Sequence, residues 1–324
     1  MKRCFIRSII AMSVAWLACG GTAPAQDYPA RAVKIIVGLG PGGGGDVFAR
    51  TLAEELRKAL AVPVVVENRP GGSESIGARA CADSPPDGYT VCVLSNEAMV
   101  YNQFLFKNIQ FDPAKDVQPI AGLFLNTFAL AANSSLKVKT VPELVALSKA
   151  KPGTLSYGTF SFALVRFMEK LKQENGADIV RVPFRGGGEL VNAMLSGSTP
   201  VGLMALSNMI SQIEAGRIMV IAVNRKERSP LFPDVPTFLE VGRSEEYPSS
   251  WFGLFAPIGT PRPIVQKLGN EVARIVSEPK FRQKMFIPRG VEPMDIKYDD
   301  FASFINADRR TAEQIVKESG YQPQ

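Results

Sequence analysis

Gly38-Leu39-Gly40-Pro41-Gly42-Gly43-Gly44-Gly45-Asp46 places six glycines in eight residues ahead of an aspartate. An apolar run, Val33 to Val37, precedes it, and Phe48, Leu52 and Leu56 follow at helical spacing. The order is therefore strand, glycine turn, then a helix from about Asp46 to Leu60. Glycines let the main chain come close to a ligand, and the first amides of a helix have no acceptor inside it. Such a turn is an anion site.

Working outward, strand and helix alternate, the pattern of a mainly parallel sheet covered by helices. Further strands are expected at Val62 to Glu67, Tyr89 to Leu94, Leu155 to Tyr157, Ile179 to Val182, Val201 to Met204, Met219 to Val223 and Trp251 to Pro257. Ile120 to Ala131 reads as extended. Helices are expected at Ile76 to Ala82, at Val141 to Lys149 behind a Thr140 cap, at Leu190 to Ser196, at Pro263 to Val276 and at Tyr298 to Val316. The opening device recurs where Ile179 to Val182 runs into Pro183-Phe184-Arg185-Gly186-Gly187-Gly188-Glu189 and a helix. Two lobes that face each other across such turns enclose a cleft suited to a small ligand.

Residues 1–25 read as a secretory signal peptide: Lys2, Arg3 and Arg7, an apolar stretch from Ser8 to Ala18, and Ala23-Pro24-Ala25 before Gln26. A lipoprotein variant would acylate Cys19, although Trp16 stands where such signals usually carry leucine. Without that segment the formal charge falls from +6 to +3, and no Lys/Arg run marks a nucleic-acid partner. The chain has no histidine, which removes Ser-His and Cys-His nucleophile pairs and His-ligated metals. No cofactor or metal is expected. Cys81 and Cys92 remain after export, and both a disulfide and two buried thiols fit a spacing of 11 residues.

The same turn also admits a dinucleotide reading. Gly38, Gly40 and Gly43 satisfy G-x-G-x-x-G between a strand and a helix, and Glu67 ends the second strand, placed to hold a ribose hydroxyl. Pro41 inside the turn, the glycines continuing to Gly45, and export away from the nicotinamide pool weigh against it. A Rossmann-type oxidoreductase is thus the alternative function. A phosphate-binding P-loop fails because no Gly-Lys-Ser/Thr follows.

A series of ordered motifs then decides between them. Pro41 to Asp46, Glu67-Asn68-Arg69-Pro70-Gly71-Gly72, Ile76-Gly77-Ala78, Pro86-Asp87-Gly88-Tyr89-Thr90, Phe111-Asp112-Pro113, Ala150-Lys151-Pro152-Gly153, Val182-Pro183-Phe184, Pro233-Asp234-Val235-Pro236-Thr237 and Trp251-Phe252-Gly253 follow one another along the chain. In these the sequence resembles the periplasmic solute receptors of tripartite tricarboxylate transporters, the Bug or TctC-like proteins. The resemblance implies an α/β Venus-flytrap fold with a discontinuous first lobe, 26–125 plus 247–324, and a second lobe, 126–246. It implies a non-enzymatic, monomeric periplasmic receptor that captures a small carboxylate for membrane transporter subunits or a sensor kinase.

Carried over by the resemblance, the carboxylate falls to the amides of Gly42, Gly43, Gly44 and Gly45, approached through Leu39 and Gly40, with Asp46 capping the helix. Ser95 and Asn96, at the end of the third strand, lie where open α/β sheets place ligands. Thr159 and Ser161 are hydroxyl donors for the far end of a ligand or else local caps. Phe160 is a ring clamp or core, and Arg166 and Arg185 are partners for a second carboxylate or surface charges. The segment Tyr157 to Arg166 departs from the family pattern: it is poorer in glycine and lacks the histidine of the helix behind it. Ala205-Leu206-Ser207-Asn208 likewise stands where the family has Asp-Asn, with Asn208 the matching amide.

Overall fold

The computed structural model describes residues 28–159, 161–184, 186–225, 227–229, 231–241 and 250–323. The expected signal peptide, Phe160 and Arg185 lie outside these. Two sheets organise the chain. The first has the order β11-β4-β10-β3-β1-β2, built from β1 (Val33–Val37), β2 (Val64–Asn68), β3 (Thr90–Ser95), β4 (Val117–Asn126), β10 (Trp251–Pro257) and β11 (Val291–Pro293). The second has the order β7-β6-β8-β5-β9, from β5 (Phe128–Asn133), β6 (Ser156–Thr159), β7 (Val180–Pro183), β8 (Val201–Ala205) and β9 (Ile218–Val223).

In the first sheet β1 pairs in parallel with both β2 and β3, which brings the C-terminal ends of all three strands to one edge. Strand β10 then runs antiparallel between β3 and β4, so a late strand sits in the middle of the early ones. The extended stretch around residue 125 divides into two strands belonging to different sheets. The switch occurs at Asn126, whose amide donates to Ser250 O at 2.7 Å and whose side chain donates to Ser250 Oγ at 3.0 Å. The two crossing chains are thus pinned side by side.

Helix α1 (Gly44–Leu60) follows the glycine turn and buries Phe48, Leu52 and Leu56 against the first sheet, with Arg57 and Lys58 at its C-terminal end. It begins two residues earlier than its apolar periodicity predicts, because Gly44 and Gly45 already have helical backbone. Helix α2 (Ser75–Ala82) and a helical segment ending in α3 (Asn102–Leu105) complete this side. In the second sheet α4 (Val141–Ala150) starts as predicted, with Thr140 Oγ1 accepting the Glu143 amide at 3.3 Å. Helix α5 (Phe162–Asn175) was implied only by the family pattern and not read from residue spacing, since its Gly-Thr-Phe-Ser approach reads as loop; Leu164, Met168 and Leu171 carry its buried face. Helices α6 (Gly187–Ser196) and α7 (Ile210–Glu214) follow.

Helices α8 (Arg262–Ser277), α9 (Pro279–Met285) and α10 (Tyr298–Glu318) return to the first sheet. Phe301, Ile305 and Val316 of α10 join Trp251, Cys81 and Cys92 in one buried cluster. Trp251 is fully buried and its indole N–H donates to Asp308 at 2.7 Å, so its place is structural. The C-terminal helix therefore packs back on the first sheet. Cys81 and Cys92 are joined by a disulfide with Cα atoms 6.0 Å apart, which decides between the two readings of that pair.

Candidate functional site

The glycine turn leaves β1 at the edge where β2 and β3 also end. Gly42 has φ of +83°, a left-handed conformation that glycine adopts without strain, and residues 41–44 are exposed. Gly43 and Gly44 have room around them: a Cβ on Gly44 would meet nothing within 4 Å, and one on Gly43 only the Gly40 carbonyl at 3.7 Å. Gly45 is the opposite case, since a Cβ there would come within 2.8 Å of the Phe252 ring. The first helical bond of α1 is from Val47 N to Gly43 O at 3.0 Å. The amides of Gly43, Gly44 and Gly45 come before it and have no acceptor within the helix. Three adjacent N–H groups at a helix start form a cradle for an anion.

Asp46 corrects one expectation. It does not cap α1: Gly43 occupies the cap position without a side-chain bond, and Asp46 sits within the first turn. From there, 2% exposed, it binds the loop. Its Oδ2 accepts the Gly42 amide at 2.9 Å and Arg50 Nε at 3.1 Å, and its Oδ1 accepts Asn68 Nδ2 at 2.8 Å. Asn68, the last residue of β2, also donates to Leu39 O at 3.0 Å. Burial opposes the Asp46 charge, but Arg50, the Gly42 amide and Asn68 outweigh it and hold the carboxyl below the usual aspartate value. A charge already neutralised by its own partners does not repel an anion at the amides above it. Asn68 and Arg50 were not foreseen as site residues, although Asn68 stands in the quoted Glu67-Asn68-Arg69 motif.

Ser95 and Asn96 are both buried at the end of β3. Ser95 donates its amide to Glu74 Oε2 at 3.0 Å and its hydroxyl to Glu74 Oε1, so that hydroxyl is engaged within the protein. Thr159, at the end of β6, is 1% exposed, and its hydroxyl has no hydrogen-bond partner. An unmade bond on a buried hydroxyl costs about 1–3 kcal/mol, and this oxygen is enclosed by the protein. Ser161 occupies the cap position of α5 without capping it; its hydroxyl instead crosses to Glu97 Oε1 at 3.1 Å. Next to it Ala163 and Phe162 pack into the core cluster of the first sheet, with Phe162 edge-on to Tyr321 at 5.0 Å. Asn208 is exposed and lies against the start of α6, where a Cβ on Gly187 would meet its amide nitrogen at 2.6 Å. Arg166 is half-buried in α5. The C-terminal ends of β3 and β6 thus meet across the junction of the two sheets. A second bridge joins Arg225 to Glu292.

The dinucleotide reading needs Glu67 available for a ribose. Its carboxylate is instead paired with Lys34 at 2.8 Å and Arg69 at 2.5 Å on the surface. Among the described residues no group of three or more acidic or sulfur ligands could hold a metal ion.

The family model described as tripartite tricarboxylate transporter family receptor matches residues 48–321. The chain belongs to this family. Among its relatives, protein BugT of Bordetella pertussis is 30% identical over 316 residues, 97% of this chain and 97% of the relative. The structure of R. palustris Rpa4515 with adipate has a TM-score of 0.83 at 28% identity, covering 92% of this chain and 100% of that one. MatC (Rpa3494) from Rhodopseudomonas palustris with bound malate has a TM-score of 0.75 at 26% identity, covering 89% and 100%. The protein is a TctC-type solute-binding receptor with the two-lobed periplasmic-binding-protein fold. Nothing in these likenesses supports an oxidoreductase.

Proposed function

We propose that this TctC-type receptor captures a small carboxylate in the cleft between its lobes, in the periplasm and without chemical change to the ligand. The observation that carries this reading is the exposed run Gly42 to Gly44 over a buried Asp46 paired with Arg50, where the helix start has no side-chain cap and the Gly42 amide is held by Asp46. A planar carboxylate with two acceptor oxygens matches adjacent N–H donors. Thr159, at the end of β6 in the second sheet, adds an unpartnered hydroxyl. The adipate and malate of the two structural neighbours are ligands of the same class.

In this proposal one lobe comprises residues 26–125 and 247–324 and the other 126–246, a division supported by the sheet membership of β4, β5 and β10. Contacts that form with both lobes only in the closed state would shift the open and closed populations on binding. Cargo would pass to membrane transporter subunits or a sensor kinase, with the receptor acting as a monomer. Calorimetric titration of the purified protein with C3 to C8 carboxylates tests the reading. Binding of at least one acid, lost in Gly43→Val at unchanged folding, is the expected result. Absence of heat with every acid, or ligand recovered chemically altered after incubation, would overturn it.

A further inference from the structure

The lobe junction holds a carboxyl group that carboxylate capture does not require. Glu97 lies just past the end of β3, half-buried, and its Oε1 accepts the Ser161 hydroxyl at 3.1 Å. Its own amide donates to Ser95 Oγ at 3.2 Å, and Ser95 in turn donates to Glu74. Glu74 supports the glycine turn from beneath, since a Cβ on Gly38 would meet its Cβ at 2.8 Å. A hydrogen-bonded path therefore runs from Glu74, packed against Gly38 of the turn on one lobe, to the start of α5 on the other.

The groups facing Glu97 are of its own sign. Glu74 at the start of α2 and Asp308 on α10 both interact with it electrostatically. Tyr101, on the helical segment that Glu97 opens, is kept neutral by burial and by the charges of Asp308 and Glu97. Arg309, beside Asp308, is turned to the Met99 carbonyl at 3.3 Å. From lobe 2 the partner is a hydroxyl, Ser161, and Thr159 close by is neutral. Burial, moderated by Ser161 and reinforced by Asp308, pushes the Glu97 carboxyl up to about 6, so at pH 8 it is ionised.

Ser161 stands where the first turn of α5 opens on the junction, the place on this wall best suited to a second ligand carboxylate. The Ser161 hydroxyl at that place already serves the protein's own carboxylate, Glu97. We infer that Glu97 sets the charge class of the ligand: this receptor accepts monocarboxylates with an uncharged far end and discriminates against dicarboxylates. The far end would meet the Thr159 hydroxyl, which a ligand hydroxyl, keto or amide group can satisfy without adding charge beside Glu97. The inference rests on the carboxylate reading of the cleft proposed above.

The test compares 6-hydroxyhexanoate with adipate, which share chain length and one carboxylate, and repeats the pair at C4, C5, C7 and C8, all by calorimetry at pH 8. Wild type is expected to bind the hydroxy acid at least tenfold tighter than the diacid at whichever length binds. Glu97→Gln, which keeps an acceptor for Ser161, should reduce that ratio to threefold or less, and Ser161→Ala, which keeps the charge, should leave it at tenfold or more. Equal affinity for both ligands in wild type, or a ratio unaltered in a folded Glu97→Gln protein, would overturn the inference while leaving carboxylate capture intact. Should no acid of either series bind wild type, the capture reading itself falls.

Discussion

Asn68 donates one side-chain amide to Asp46 Oδ1 at 2.8 Å and to the Leu39 carbonyl at 3.0 Å, joining the end of β2 to both sides of the glycine turn. The turn is therefore held from below by polar contacts rather than by its own sequence. With Asp46→Ala, the Gly42 amide, Asn68 and Arg50 lose a shared acceptor at a buried position. A cost of about 2–3 kcal/mol is expected, more than a lost helix cap would give. Urea unfolding of Asp46→Ala against wild type measures it, and a change under about 1 kcal/mol would show that the network contributes little.

Glycine substitutions along the turn should separate folding from binding. Gly43→Val and Gly44→Val place side chains in open space, so the melting temperature should stay within a few degrees while carboxylate binding disappears. Gly45→Ala drives a methyl into the Phe252 ring, itself stacked on Phe124 at 4.9 Å, and should destabilise by about 1–3 kcal/mol through overpacking. Calorimetric scanning with and without ligand distinguishes the two classes. A Gly43→Val protein that binds normally would place the ligand elsewhere.

Stability should depend on pH in a window set by Glu74. Burial raises its carboxyl to about 7, against the Ser95 bonds that lower it, with the Glu97 charge adding to the rise. Between the unfolded value of 4.5 and about 7 the folded state holds more protons than the unfolded one. Its contribution is thus fully present below that window and is lost as pH rises through about 7, on the order of 3 kcal/mol in all. Asp46, held low, acts in the opposite sense and matters only as pH falls below the ordinary aspartate range. Melting temperatures from pH 5 to pH 8 should decline in wild type and decline less in Glu74→Gln. Parallel profiles for the two proteins would remove Glu74 as the cause.

Reducing the Cys81–Cys92 bridge should cost about 3 kcal/mol, the chain-entropy value for a loop of this length. Both sulfurs lie in the buried cluster shared with α10 and neither contacts the Asp46 network, so ligand affinity of the still-folded reduced protein should match the oxidised one. Urea midpoints with and without reductant, followed by titration, check both statements. An affinity loss above threefold would tie the bridge to the cleft.

Strand and helix order was legible because it is written in local patterns. Val33 to Val37 is continuously apolar, Phe48, Leu52 and Leu56 repeat at helical spacing, and Thr140 with Pro142 marks a helix start. Helix α5 was less visible, since Phe162, which spacing would place in its own lobe, packs instead into the other lobe's core. Ser161 reads as a local cap for the same reason: nothing nearby in sequence names a partner 64 residues away. Glu97 carried a weak signal, an acid directly after the Ser95-Asn96 strand end, that composition alone does not separate from a solvated charge.

The amino-acid sequence by itself determined the glycine cradle, the alternation of elements, the absence of histidine chemistry and the family, because each depends on residue type and short-range spacing. Only the tertiary structure decided that Asp46 is bound by Asn68 of β2, that Cys81 and Cys92 meet, and that Glu97 of one lobe takes the hydroxyl of the other. Those are meetings of side chains distant in the chain. Packing of sheets and lobes sets them within tenths of an ångström, and no local propensity encodes that.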